Sequence, residues 1–234
     1  MKNVLIPFLV SILSFSVQAQ NLEKRNVGEY DEISISGWFD VELVEGKEGQ
    51  ITITGKASLL KHIDSEVVNG DLKIEWAKRS NLNPFYSFSK ITITIPVESI
   101  HGVSLSGSGS ISGTTTLTAE RFAANLSGSG EIDLNVNTNS LNSRISGSGN
   151  IIFHGQAENH DAEISGSGKI KAYDLETDIV VATISGSANV NVKANEEIRA
   201  RISGSGDVNY IGSPDKIDSK VSGSGSVTKR KRNI

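Results

Sequence analysis

Several patterns in this 234-residue chain have residue types and spacing that chemistry could use. Ser-Gly-Ser-Gly begins at Ser106, Ser127, Ser146, Ser165, Ser203 and Ser222, with Ser-Gly-Ser-Ala at Ser185. Glycine-rich segments cradle phosphates when their amides converge at a helix start, and a serine between glycines is a nucleophile when a strained turn presents it to a base. Neither use fits here. Gly107, Ser108 and Gly109 run into Ser110-Ile111-Ser112, neither a dinucleotide fingerprint nor a Lys-Ser/Thr ending, and no base and acid accompany any one serine. A calcium-binding β-roll needs an aspartate at a fixed place in every turn. The residue after the motif is instead Ser110, Glu131, Asn150, Lys169, Asn189, Asp207 or Ser226. Paired carboxylates would serve glycoside hydrolysis; Glu131 and Asp133 share one face, and Glu158, Asp161 and Asp174 lie near one side, but no pair stands out from a solvated surface. The expectation is no catalytic residue, no metal and no cofactor, with a carbohydrate-active enzyme as the catalytic alternative.

What positions these residues is a repeat. The motif copies are spaced by 21, 19, 19, 20, 18 and 19 residues, so one structural unit recurs with small loop insertions. Before each motif stands an aliphatic residue: Leu105, Leu126, Ile145, Ile164, Ile184, Ile202, Val221. Two residues after it stands another: Ile111, Ile132, Ile151, Ile170, Val190, Val208, Val227. Further upstream run a small column (Ala124, Ser143, Ala162, Ala182, Ala200, Ser219) and a larger one (Phe122, Leu141, His160, Val180, Ile198, Ile217). Apolar alternation within a period near 19 gives strands whose inward faces stack copy on copy. The chain reads as all-β, a parallel β-helix over 101–228. Alternation through the motif places both glycines inward and both serines outward, with the glycines bending the strand and the serines satisfying corner backbone groups or neighbouring serines. His154 and His160, with Glu158 and Asp161 between and beside them, invite a metal reading, but His160 occupies an otherwise apolar column and reads as a packed imidazole. Arg144 and Glu163 should stack on adjacent coils.

Residues 20–100 lack the repeat yet alternate over Glu32–Ser36, Asp40–Val44, Gln50–Thr54, Leu72–Trp76 and Ile91–Ile95, with a short helix expected over Ala57–Ile63. They read as irregular N-terminal β coils that cap the solenoid. The first 19 residues read as a secretory signal: Lys2, an apolar run from Val4 to Val17, then Gln18-Ala19-Gln20. That run is too short for a permanent membrane span, and no other appears. With 22 basic and 27 acidic residues after cleavage, the net charge is −5, which argues against a nucleic-acid partner. The absence of cysteine excludes disulfides and a lipid-modified cysteine. Residues 229–234 form a basic tail, which blunts the strand edge it follows.

Three segments together carry a family resemblance: Ile35-Ser36-Gly37-Trp38-Phe39-Asp40-Val41-Glu42-Leu43, Val68-Asn69-Gly70-Asp71-Leu72-Lys73-Ile74, and Ile91-Thr92-Ile93-Thr94-Ile95-Pro96, followed by the serine-glycine motifs. They resemble the auto-transporter adhesin, head GIN domain family of exported Bacteroidetes proteins. The resemblance implies a right-handed β-helix and an exported location: periplasmic, outer-surface or secreted. It supplies neither ligand nor catalytic residues.

The function expected is therefore binding or adhesion, with a self-associating envelope component as the structural alternative. A glycan or a surface protein is the partner class, and a homo-oligomer is compatible with the repeat. The candidate contact residues are Phe85, Tyr86 and Phe88, in the turn-rich segment Arg79–Ser89, joined by Trp38 and Phe39. Loops on rigid scaffolds carry binding, and clustered aromatics anchor it; the other reading of the segment is that Phe85 and Phe88 fold back to plug an end of the coil.

Overall fold

The computed structural model describes residues 21–77 and 90–231. In chain order the elements are β1 (Asn21–Gly28), β2 (Glu32–Gly37), β3 (Asp40–Glu45), β4 (Gly49–Gly55), α1 (Ala57–Leu60), β5 (Ile63–Val68), β6 (Asp71–Trp76) and β7 (Thr92–Val97). The repeat then supplies β8 (Gly102–Gly107), β9 (Ser110–Gly128), β10 (Glu131–Gly147), β11 (Asn150–Gly166) and β12 (Lys169–Gly186). It continues through β13 (Asn189–Ala194), β14 (Glu197–Gly204), β15 (Asp207–Gly212), β16 (Lys216–Gly223) and β17 (Ser226–Lys229).

From β8 onward every pairing is parallel, and each motif lies in register on the motif one coil earlier. The chain is a β-solenoid. Its interior is the set of columns read from the sequence: Ile145, Ile164 and Ile184 stack before the corner, and Ile132, Ile151 and Ile170 after it, all buried. Each such side chain contributes about 1.5–3 kcal/mol of burial, and stacking identical shapes lets neighbouring coils interdigitate without gaps.

The corner between these two columns explains the motif. At Gly147 the backbone takes φ +129, and a Cβ there would lie 2.4 Å from the Gly128 carbonyl oxygen one coil below. A Cβ on Gly149 would lie 2.5 Å from the Gly130 carbonyl oxygen. One glycine is thus required by conformation and close approach, the other by close approach. The second glycine faces inward as expected, whereas the first is half-exposed, because the positive φ turns the chain before alternation can carry it inside. The serine hydroxyls do not satisfy the corner. The ladder continues through it on backbone groups alone: the Ser148 amide donates to the Gly128 carbonyl at 2.8 Å, and the Ser167 amide to the Gly147 carbonyl at 2.8 Å.

The N-terminal strands join the same stack out of sequence order. β2 lies between β6 and β8, and β3 between β7 and β9, all parallel. The coil made by β2 and β3 is therefore sandwiched between one that follows it in sequence (β6 and β7) and the first motif coil. Beyond β6 and β7 the direction reverses: β5 pairs antiparallel with β6, β4 with β7, and β1 with β4. Arg25 of β1 ties this layer together by donating to the carbonyls of Leu60 at 2.8 Å and Ile63 at 2.5 Å. The expected helix stops at Leu60, because Ile63 is needed as the first residue of β5.

His160 is buried, as a core imidazole. Its Nε2 lies 2.8 Å from the Ser143 hydroxyl, its ring meets Phe153 edge-on at 5.8 Å, and Nδ1 has no partner. The cheapest arrangement has Nε2–H donating to Ser143 while that hydroxyl donates to the Asp161 carbonyl, leaving only a lone pair unmatched.

Candidate functional site: the serine face

Eight serines stand one per coil along one outer face: Ser36, Ser106, Ser127, Ser146, Ser165, Ser185, Ser203 and Ser222. Parallel strands space them about 4.8 Å apart. Alternation sends these side chains outward because the aliphatic residue before each is fixed inward by the core. None of the eight hydroxyls hydrogen-bonds another described residue, and all but the half-buried Ser36 are exposed. A second row, Ser108 to Ser224, follows at the corner and is exposed throughout.

A shallow groove of about 390 Å³ runs along the N-terminal part of this face. It exists because the neighbouring column changes side-chain length. Ser34, Ser104 and Asn125 are short, whereas Arg144 and Glu163, in the next two coils, are long and bound the groove. Those two side chains pair at 3.1 Å as the register requires, and each is about half-exposed (60% and 49%), so the pair is worth about 0–1 kcal/mol. Further along the same column Arg201 pairs with Asp218 at 2.6 Å, and this contact holds the Asp218 carboxyl below its usual range.

At the N-terminal end of the ladder the corner is aromatic. Ile35-Ser36-Gly37-Trp38-Phe39-Asp40-Val41 pairs residue for residue with Leu105-Ser106-Gly107 and Ser110-Ile111. It is a degenerate copy of the motif, with Trp38 in the place of the outward Ser108 and Phe39 in that of the inward Gly109. Trp38 is half-buried and lies on Trp76, ring centroids 4.6 Å apart. Phe39 is 0% exposed and also packs on Trp76, at 4.9 Å. The expectation that Phe39 meets a partner is therefore corrected. The coil beneath it is the capped one, and the ring packs there against Trp76. Sequence reasoning placed Trp76 at the end of a strand but not in this cluster; the half-motif Ile-Ser-Gly ending in Asp-Val was the available signal for the corner it packs against. Phe85, Tyr86 and Phe88 lie outside the described residues.

Elsewhere, His154 and Asp133 approach to 3.2 Å on an exposed face beside Glu42. Among the described residues no group of three or more His, Asp or Glu is arranged to hold a metal ion. No described helix is long and apolar enough to cross a membrane.

The solenoid has close structural counterparts. It superposes on a putative adhesin of Bacteroides fragilis NCTC 9343 with a TM-score of 0.82 at 24% identity, covering 91% of this chain and 98% of that one. It superposes on a putative lipid binding protein of Parabacteroides distasonis ATCC 8503 with a TM-score of 0.71 at 24% identity, covering 92% and 98%. A putative adhesin of Parabacteroides merdae ATCC 43184 gives 0.70 at 20% identity, covering 92% and 98%. At these identities the likeness establishes the fold. No curated protein matches the chain significantly. The family model described as putative auto-transporter adhesin, head GIN domain, matches residues 29–214, from the turn before β2 through the coil that ends at β15, and the chain belongs to that family.

Proposed function

We propose that this chain is an exported, non-catalytic binding module of the adhesin type, and that its serine face takes up an extended, hydroxyl-rich polymer such as a glycan. The observation that supports this reading is the in-register ladder of eight solvent-facing serines, which begins beside a tryptophan pair and is grooved over its first coils. A hydroxyl exchanging water for a ligand gains about 0.5–1.5 kcal/mol. Such contacts are weak singly but add along an extended polymer that meets several coils at once. An aromatic ring at one end contributes about 1.5–3 kcal/mol by covering an apolar sugar face. Export is supported by the secretory signal expected over residues 1–19 and by the family.

The lipid-binding name of the Parabacteroides distasonis neighbour does not favour an acyl ligand here. The aliphatic columns that would hold one are packed inside the solenoid. Phe85, Tyr86 and Phe88 remain the alternative contact. Glycan-array screening of the mature chain should find binding without turnover. The double variant Ser127→Lys and Ser146→Lys, which fills the groove, should lose at least about tenfold in affinity. A triple variant with Phe85, Tyr86 and Phe88 changed to Ser that stays folded but loses all binding, while the lysine variant binds normally, would move the site to the aromatic segment. Binding to liposomes alone would overturn the glycan reading.

A further inference from the structure

The two edges of the parallel stack are treated differently. At the N-terminal side antiparallel strands cover it. At the other side, among the described residues, β16 pairs only with β14, and its second edge carries amides and carbonyls with no described strand beside them. Its inward residues are uncovered as well: Ile217 is 44% exposed and Val221 39%, whereas Ile198 and Ile202, one coil further in, are 0% and 3%. An exposed edge with an apolar inner face is a template for strand addition.

We propose that β16 pairs antiparallel with β16 of a second copy, about a two-fold axis through Ser219. The sequence of the strand is self-complementary about that residue. Reading outward from Ser219, the flanking residues are Asp218 and Lys220, then Ile217 and Val221, then Lys216 and Ser222. Antiparallel pairing centred there sets Asp218 opposite Lys220 of the second copy twice over. It also sets Ile217 opposite Val221 on the inner face, closing both exposed columns. Shifting the centre to Asp218 or to Lys220 instead places like charges opposite each other, which is destabilising. Within its own chain Lys220 sits directly over Arg201 and has no acidic partner among the described residues. Asp218 contacts Arg201 through Oδ2, which leaves Oδ1 to accept. The axis also exchanges the flanks of β16. The basic segment Lys229-Arg230-Lys231 lies on the N-terminal flank of β16 in its own chain, where Lys229 donates to the Ser213 hydroxyl at 3.3 Å, so the basic segments of the two copies sit at opposite ends of the paired strands. Because the axis is perpendicular to the sheet, both serine ladders point the same way, which makes the pair bivalent toward a polymer or a surface.

The full mature chain should show a concentration-dependent monomer–dimer equilibrium by sedimentation. Lys220→Asp, which places two acids opposite each other, should weaken the dimer by at least about tenfold. Adding Asp218→Lys to that variant restores opposite charges in the reversed sense and should recover dimerisation. Circular dichroism checks that each variant keeps its strands. A monomer at every concentration, open-ended growth beyond the dimer, a Lys220→Asp variant that dimerises like wild type, or a double variant that is no better than the single would each overturn the proposal.

Discussion

The two ends of the solenoid are built from similar strands and finished in opposite ways. At the N-terminal side the outermost parallel coil, β6 and β7, is covered by β5 and β4 running the other way, with β1 beyond, Arg25 clamping the layer and Phe39 with Trp76 filling the corner. At the other side β16 has no described residue buried. The difference shows that a parallel coil cannot end itself. Each coil buries its columns only against the next, so the last must be capped by strands of reversed direction or by another molecule.

Breaking the closed end should have the largest effect. Phe39→Ala removes a fully buried ring from the corner and should cost about 3–5 kcal/mol in urea unfolding. A loss below about 1 kcal/mol would mean that Trp76 or another group refills the space.

An inner coil sharpens the contrast through pH. Burial pushes the His160 imidazole down to about 4, whereas in the unfolded chain it titrates near 6.5. Between these values the unfolded chain binds a proton that the folded chain refuses. Stability should be complete above about pH 6.5 and fall as the pH drops toward 4, by roughly 3 kcal/mol in all. His160→Leu, which matches Leu141 in the same column, should flatten that part of the pH dependence while other acid-sensitive groups continue to act. An unchanged slope would place the acid sensitivity elsewhere.

The open end should respond least. Ile217→Ala, in the same column as Ile198 but 44% exposed, should cost the monomer less than about 1 kcal/mol, against about 2–5 kcal/mol for Ile198→Ala. Equal costs would show that β16 is covered in solution by something other than the second copy.

Legibility in the sequence follows the same division. The motif coils could be read column by column, down to the Arg144–Glu163 pair and the buried His160, because each position is repeated and a single exception stands out. The capped end could not. Its antiparallel strands β1 and β5 have no copies to align with, and the insertion of β2 and β3 between strands later in sequence leaves no periodic trace. Ser36-Gly37-Trp38-Phe39 keeps only the first half of the motif, and its two rings pack on Trp76, a contact that no repeated column announces. The outward row of serines was legible as a column, but the groove beside it was not. It depends on the lengths of Asn125 and Arg144 in adjacent coils rather than on any residue type.

Hydrogen exchange along the chain tests the asymmetry of the two ends most directly, and the Lys220→Asp variant keeps the proposed dimer from masking it. In that variant at low concentration, amides of β16 and β17 should exchange many-fold faster than those of β6 and β7, which close the parallel stack at the other end. Equal protection of the two outermost coils would contradict the account.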